Sequence, residues 1–102
     1  MAEGFVAYRG DRELHDGMVV ALEQDGETAW VVIEAGSGRR FEVRFFGVES
    51  LTQLRAEGMM LYALAEMEGE PPLRRFVFVN WDEDDEAQLD VLARDLDYRE
   101  LP

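Results

Sequence analysis

The stretch from 28 to 48 has the hydrophobic pattern of two paired strands. Apolar residues at 41–45 alternate with charged ones, and this period of two gives a strand one apolar and one polar face. The run at 30–33 is continuous, β-branched and aromatic, which predicts an interior strand buried on both faces. The Gly-Ser-Gly link at 36–38 tolerates the positive φ that tight reversals use. The sequence therefore predicts a β-hairpin here.

The same pattern extends toward the N-terminus. As a strand, residues 17–24 place Met18, Val20 and Leu22 on one face and Val19 and Ala21 on the other. They are followed by Asp-Gly, the strongest two-residue hairpin signal. Three consecutive strands, at 17–24, 27–35 and 39–46, are therefore predicted to form an antiparallel meander. The short apolar stretch at 5–8 fits an edge strand or an ordered lead-in. A meander needs its apolar face covered, so the rest of the chain must pack against it.

Beyond the hairpin the pattern indicates shorter elements. Residues 49–57 fit a short helix or helical turn, with Ser50 as its N-cap and Gly58 as its stop. Residues 59–68 favour a helix by propensity but also alternate as a strand does, and the sequence leaves the two open. The Glu-Pro-Pro run at 70–72 ends any regular element, because proline cannot donate a backbone hydrogen bond.

The C-terminal part predicts a further hairpin. Residues 73–81 alternate as a strand, with Phe76 and Phe78 on one face. Residues 82–86 form a polar reversal, and 87–98 are predicted to be a final strand antiparallel to the previous one. Leucines at helical spacing leave a helix as the alternative for that last segment.

These elements predict one domain, 1–102, of the α+β class and mainly antiparallel β. We expect a single-sheet roll or a small sandwich of five to seven strands with one or two short helices. A chain of 102 residues with 47% hydrophobic content supports one modest core. The chain has no apolar run near the roughly 20 residues of a membrane span, no secretion signal and no cysteine. A cytoplasmic protein that does not bind membranes is expected.

Charge is the strongest compositional feature of the chain. The formal net charge is −13. A negatively charged protein repels nucleic acid and attracts basic partners. Acidic residues are concentrated near the C-terminus, where five follow one another. Solubility is the simple explanation of this run, and a docking face for a basic protein is the functional one. The residues predicted to contact such a partner are Asp82, Glu83, Asp84, Asp85 and Glu86.

His15 is the only histidine, and Asp16 follows it directly. A Ser-His-Asp triad would have to use this histidine, but Ser37 lies in a predicted hairpin turn rather than in a strand-to-helix elbow. We therefore predict no catalytic residues and no enzymatic activity. The pair His15 and Asp16 remains a candidate polar site, and a small-ligand or enzymatic domain with a pocket near His15 is the alternative hypothesis.

Metal and cofactor motifs are not evident in the sequence. Oxygen donors alternate along 80–86 as at the start of a calcium loop, but Ala87 stands where that loop needs glycine. Counting from Asp82, the twelfth position is Ala93 instead of glutamate. No metal site and no cofactor are predicted. The tryptophans and phenylalanines are assigned to the core, and a homodimer formed through a sheet edge is a third hypothesis.

Residues 14–19, with the sequence LHDGMV, resemble the opening signature of small bacterial β-rich domains. The similarity extends to 40–48, where a strand ends in an aromatic residue, a small residue and valine. Some of these domains resemble polymorphic-toxin immunity proteins, which bind and block a toxin. The resemblance implies a binding protein without catalysis and leaves its partner open. Combined with the acidic run, it gives the hypothesis of an immunity-type inhibitor that presents 82–86 to a basic partner. The candidates for an exposed apolar patch are Tyr8, Tyr62, Met59 and Met60.

Overall fold

A computed structural model describes residues 4–102, which form nine β-strands. Their bounds are β1 (Phe5–Arg9), β2 (Met18–Asp25), β3 (Thr28–Glu34), β4 (Arg40–Phe46), β5 (Ser50–Leu54), β6 (Leu61–Met67), β7 (Arg74–Asn80), β8 (Gln88–Ala93) and β9 (Asp95–Glu100). One turn of 3₁₀ helix, Arg12–Leu14, is the helical segment of this part of the chain. No helix within 4–102 is long and apolar enough to cross a membrane.

The strands form two antiparallel sheets packed across a common core. The five-stranded sheet has the order β1-β6-β7-β8-β5, and the four-stranded sheet has the order β2-β3-β4-β9. Phe45 of the four-stranded sheet packs against the other sheet, with its ring centroid 5.3 Å from that of Phe76 and 5.9 Å from that of Phe78. The mainly antiparallel β architecture is confirmed, in the form of two sheets.

The predicted hairpin and meander are confirmed. β2, β3 and β4 pair consecutively, with Val31 opposite both Leu22 and Val43. β3 is an interior strand, as its apolar run predicts, but its expected burial on both faces is wrong. Val31 is fully buried, whereas Trp30 and Val32 are only half-buried, because no further layer built from residues 4–102 covers the outer face of this sheet.

The helix predicted at 49–57 is wrong, because this segment contains β5. The strand pairs with β8, which places Leu51 opposite Val91 and partly buries it against the core. This pairing outweighs the local N-cap signal of Ser50, since a tertiary contact overrides a weak local preference. The open assignment at 59–68 is settled as a strand, β6, which is hydrogen-bonded on both sides by β1 and β7.

The strand count is nine instead of five to seven, and the described residues contain no α-helix. Part of the difference lies in the final strand predicted at 87–98, which is two strands. β8 pairs with β7 in the five-stranded sheet, and β9 pairs with β4 in the four-stranded sheet. The chain passes between the sheets at Arg94, whose amide donates to the Phe46 carbonyl. Alternation persists through such a bend and therefore does not reveal it.

The expected burial of the aromatic residues holds for only some of them. The rings of Phe41, Phe45, Phe76 and Phe78 are buried. In contrast, Trp81 is 59% exposed and Phe5 is 40% exposed, on outward-facing positions. These two aromatic side chains are available to contact other molecules.

Candidate functional site

The segment 14–19 joins the two sheets at a corner. The Val19 amide donates to the Met59 carbonyl at 3.0 Å, and the Leu61 amide donates to the Gly17 carbonyl at 2.7 Å. Gly17 has no room for a side chain, because a Cβ there would lie 2.8 Å from Ile33 Cγ2. The LHDGMV signature therefore has a structural role, which is to pair the start of β2 with the start of β6.

Two depressions lie beside this corner. The first, which we name the tyrosine pocket, has a volume of about 260 Å³, and its walls include Tyr8, Arg9, Arg12, His15 and Tyr62. The second, which we name the methionine cleft, has a volume of about 340 Å³, and its walls include Asp16, Met18, Glu34 and Met60. The predicted pair His15 and Asp16 is thus divided, since each residue lines a different depression. Asp16 adopts the left-handed conformation, with φ of 66°.

His15 is oriented by the backbone of β6. Its Nδ1 lies 2.8 Å from the Tyr62 carbonyl oxygen, and its ring meets the Tyr62 ring edge-on with centroids 5.1 Å apart. Because a carbonyl only accepts hydrogen bonds, this contact assigns the proton to Nδ1. The other nitrogen, Nε2, is 3.7 Å from Asp16 Oδ1, which is beyond hydrogen-bond distance.

The structure does not assemble a catalytic triad around this histidine. The Ser37 hydroxyl donates to Glu13 Oε1 at 2.7 Å, and the same glutamate also pairs with Arg39. The polar and aromatic partners of the His15 side chain within residues 4–102 are the Tyr62 carbonyl and ring and the more distant Asp16. A base without an adjacent nucleophile does not support nucleophilic catalysis at this position.

Exposed apolar side chains begin in the wall of the methionine cleft, at Met18 and Met60, and continue beyond it to Trp81. Met18 forms a β-bridge with Met60, and the Trp81 amide donates to the Met60 carbonyl at 2.9 Å. Residues opposite one another on antiparallel strands point to the same side. We name Met18, Met60 and Trp81 the apolar strip; their exposed fractions are 40%, 40% and 59%. Met60 was a predicted patch residue, while Met59 is buried and its assignment to the patch is wrong.

The acidic loop, residues 82–86, begins directly after Trp81, and all five of its side chains are exposed. Two of the five carboxylates shape the loop. Asp82 accepts from the Asp84 amide at 2.9 Å, and Asp85 accepts from the Asn80 side chain at 3.2 Å. The Asn80 bond is the main reason that the pKa of Asp85 lies below its ordinary value. Glu83 and Asp84 make no side-chain hydrogen bond within the described chain, and Glu86 lies 3.4 Å from Arg55.

The arrangement of acids also bears on metal binding. In the chain from residue 4 onward, no group of three or more His, Asp or Glu side chains is placed to hold a metal ion. The alternating oxygens of the loop are used instead in bonds to its own backbone amides, such as that from the Asp82 amide to Asn80 Oδ1 at 2.8 Å. This loop geometry supports an acidic surface of fixed shape.

Replacing Asn80 with alanine is expected to loosen this loop and to lower the free energy of unfolding by about 1–2 kcal/mol. The Asn80 side chain bonds the Asp82 amide, the Asp85 carboxylate and the Ala87 carbonyl, so three contacts disappear together. Urea denaturation measures the loss, and hydrogen exchange at the Asp82 amide should accelerate. The matched control is Asp84→Ala, which removes an unbonded side chain; a similar loss in both variants would contradict the assigned role of Asn80.

Sequence reasoning did not identify every residue of these surfaces. It proposed Tyr8, Tyr62, Met60 and the acidic loop, but it assigned Trp81 to the core and did not single out Arg12. The signal that could have marked Trp81 is its position beside five consecutive acids at the end of a strand.

Comparison of the chain with protein-family models, with curated proteins and with solved structures finds no significant match.

Proposed function

We propose that this protein is a binding protein without catalytic activity, which captures a basic partner protein in the manner of an immunity-type inhibitor. One observation carries the proposal: the exposed apolar strip lies between the carboxylates of the methionine cleft and the acidic loop. Its setting would be the cytoplasm, which the absence of cysteine favours.

The apolar strip supplies the part of the surface that would give affinity. Interfaces obtain most of their binding energy from a few large side chains that become fully covered, tryptophan above all. Trp81 is 59% exposed, so it has most of its surface left to bury. Met18 and Met60 are flexible and polarizable, and such side chains adapt to the shape of a partner. This strip supplies the apolar anchor that acidic residues alone lack.

The acids would provide selectivity and fast association. A surface with a net charge of −13 attracts cationic proteins over long distances, and the acidic loop concentrates that charge beside Trp81. Within the methionine cleft, Asp16 and Glu34 are placed to meet a lysine or arginine head group, whose alkyl stem would lie along Met18 and Met60. The ion pair between Glu34 and Arg40 is long, at 3.4 Å, and exposed. Such a pair is weak, so Glu34 could release Arg40 and bind a cation of the partner instead.

A titration with a basic probe peptide of alternating arginine and leucine residues tests this proposal. The test variant carries Glu83→Gln, Asp84→Asn and Glu86→Gln, which keeps Asp82 and Asp85 to preserve the loop. We expect the variant to bind about tenfold more weakly at moderate salt, which corresponds to about 1.4 kcal/mol. The matched control removes three exposed acids elsewhere, by Glu27→Gln, Glu49→Gln and Asp97→Asn, and should bind nearly as the unmodified protein does.

A second arm tests the apolar strip. Trp81→Ala is expected to weaken binding of the probe peptide, while Tyr98→Ala, an exposed aromatic residue of β9, is expected to leave it unchanged. Chemical shifts of the Met18 and Met60 methyl groups report whether the peptide reaches the cleft. Equal weakening by the two triple variants would show that only net charge matters, and that result would overturn the proposed docking face.

A further inference from the structure

The tyrosine pocket differs in charge from the rest of this acidic protein. Eight of the ten arginines have a carboxylate oxygen within 4.0 Å. Arg12 and Arg94 have none among residues 4–102. Arg12 lines the tyrosine pocket, where Arg9 also forms part of the wall. In a chain with 23 acids, an arginine left without a carboxylate at the mouth of a pocket offers its charge to a ligand.

The backbone around Arg12 is held in place. The Leu14 amide donates to the Asp11 carbonyl at 3.0 Å, and the His15 amide donates to the Arg12 carbonyl at 3.1 Å. Asp11 is the one acid in the pocket wall, and its Oδ1 already accepts from the Glu13 amide at 2.9 Å. One oxygen of that carboxylate caps the 3₁₀ turn, and no oxygen of Asp11 lies within 4.0 Å of the Arg12 guanidinium.

Three aromatic rings form part of the remaining walls, together with the aliphatic side chains of Leu14, Ala63 and Leu64. The Tyr8 and Tyr62 rings are 6.4 Å apart at 68° to each other, and His15 meets Tyr62 at 80°. Rings set at such angles form a corner, against which a flat ring can lie on one face and meet another edge-on. The volume of about 260 Å³ is slightly below the range of about 300–1,000 Å³ for drug-sized ligands, so the ligand must be small.

We propose that the tyrosine pocket is a binding site for a small aromatic carboxylate. Its ring would lie against Tyr8 and Tyr62, and its carboxylate would receive hydrogen bonds from the Arg12 guanidinium, whose planar fork matches a carboxylate. This site is separate from the methionine cleft and does not depend on the capture of a basic partner. The proposal concerns binding alone and includes no chemical step.

Three isosteric probes of different charge test the site: benzoate, neutral benzamide and cationic benzamidine. His15 is the only histidine, so its ring proton signal is a single reporter inside the pocket. We expect saturable shifts of the His15 and Tyr62 ring signals with benzoate, and about tenfold weaker binding of the other two probes. Arg12→Gln should weaken benzoate to the level of benzamide. Arg94→Gln removes the guanidinium between β8 and β9, the other one without a carboxylate oxygen within 4.0 Å among residues 4–102, and should leave benzoate binding unchanged.

Several results of these titrations would contradict a carboxylate site in the tyrosine pocket. Equal affinity for all three probes would show an apolar site without anion selectivity, and tighter binding of benzamidine would reverse the assigned charge. Equal effects of Arg12→Gln and Arg94→Gln would show that only net charge is involved. Each of these outcomes, or the absence of any shift with benzoate, overturns the proposal. Tyr62→Leu provides a check that does not alter charge, and it should weaken benzoate and benzamide alike.

Discussion

Replacing Phe45 with alanine is expected to lower the free energy of unfolding by about 3–5 kcal/mol. Phe45 is fully buried, and its ring packs against Phe76 and Phe78 of the opposite sheet at 5.3 and 5.9 Å. The substitution removes apolar surface from the core and leaves a cavity that two fixed rings cannot fill. Guanidinium denaturation followed by circular dichroism measures the loss.

The neighbouring residue provides a matched control. Phe46 has the same side chain one position further along β4, but it points outward, is 36% exposed and lies near the Arg44 guanidinium. Phe46→Ala should cost less than about 1 kcal/mol, since most surface substitutions are mild. Comparable losses in the two variants would show that the contact between the sheets at Phe45 does not hold them together.

Much of the fold could be predicted from local pattern. Alternation of apolar and charged residues identified β4, because a strand with one covered face must repeat with a period of two. Short apolar runs bounded by turn or proline signals identified β2, β3 and β7. The turn between β3 and β4 was signalled by glycines, and Gly38 indeed has φ of 90°. What the pattern could not show is which sheet a strand joins. β8 and β9 alternate as one strand would, and only the pairing partners reveal the bend at Arg94.

Segment 49–57 shows a second limit of local reasoning. Its N-cap and stop signals are real sequence features, but a five-residue strand paired with β8 buries Leu51 better than an isolated turn of helix could. Short helices are marginal without packing partners, so long-range pairing decides such a segment.

The candidate surfaces were harder to predict than the strands. Alternation states which residues share a face, but it does not state whether another layer covers that face. Trp81 and Met18 were therefore not recognised as exposed. His15 and Asp16 are adjacent in sequence and suggested one polar site. His15, however, lines the tyrosine pocket with its arginines, whereas Asp16 lines the methionine cleft together with Glu34. Sequence alone could not show that the left-handed conformation at Asp16 accompanies this division.

The corner formed by 14–19 connects fold and proposed functions. Pairing of Gly17 and Val19 with the start of β6 brings Met18 beside Met60 and holds His15 against Tyr62. Both depressions therefore depend on the same few backbone hydrogen bonds. A basic partner and a small carboxylate would meet adjacent surfaces with opposite charge preferences, which separates the two kinds of ligand.

Replacing Glu66 with glutamine is expected to lower the free energy of unfolding by about 2–3 kcal/mol at neutral pH. Glu66 lies opposite the buried Phe76 and is itself only 7% exposed. Its carboxylate accepts from Arg9 Nε at 2.8 Å and from Arg74 Nη2 and Nε at 2.8 and 3.0 Å. Arg74 also reaches Asp95 of the other sheet at 2.8 Å. Neutralising Glu66 leaves two guanidinium groups without their shared anion at the rim of the core.

This contribution must depend on pH in a defined direction. The hydrogen bond from Arg74, followed by that from Arg9, holds the pKa of Glu66 below its ordinary value, although burial opposes the shift. A carboxyl group with a lower pKa in the folded state stabilises the protein above its unfolded pKa, about 4.3 for glutamate, and loses that contribution as the pH falls through the folded value. The stability difference between the unmodified protein and Glu66→Gln should therefore stay constant near neutrality and shrink below about pH 4.

Urea denaturation across this pH range measures the free energy of unfolding of the unmodified protein and of Glu66→Gln. Other acids with a lowered pKa, such as Asp85 and Glu100, are present in both proteins, so their contributions cancel in the difference. The matched control is Glu42→Gln. Glu42 also faces two arginines, Arg44 and Arg99, but at 3.3 and 3.4 Å on the outer face of the four-stranded sheet. Outer ion pairs of this kind contribute little, so the control should lose less than about 1 kcal/mol. A difference for Glu66→Gln that persists unchanged in acid would show that packing, and not the charge shared with Arg9 and Arg74, accounts for the loss.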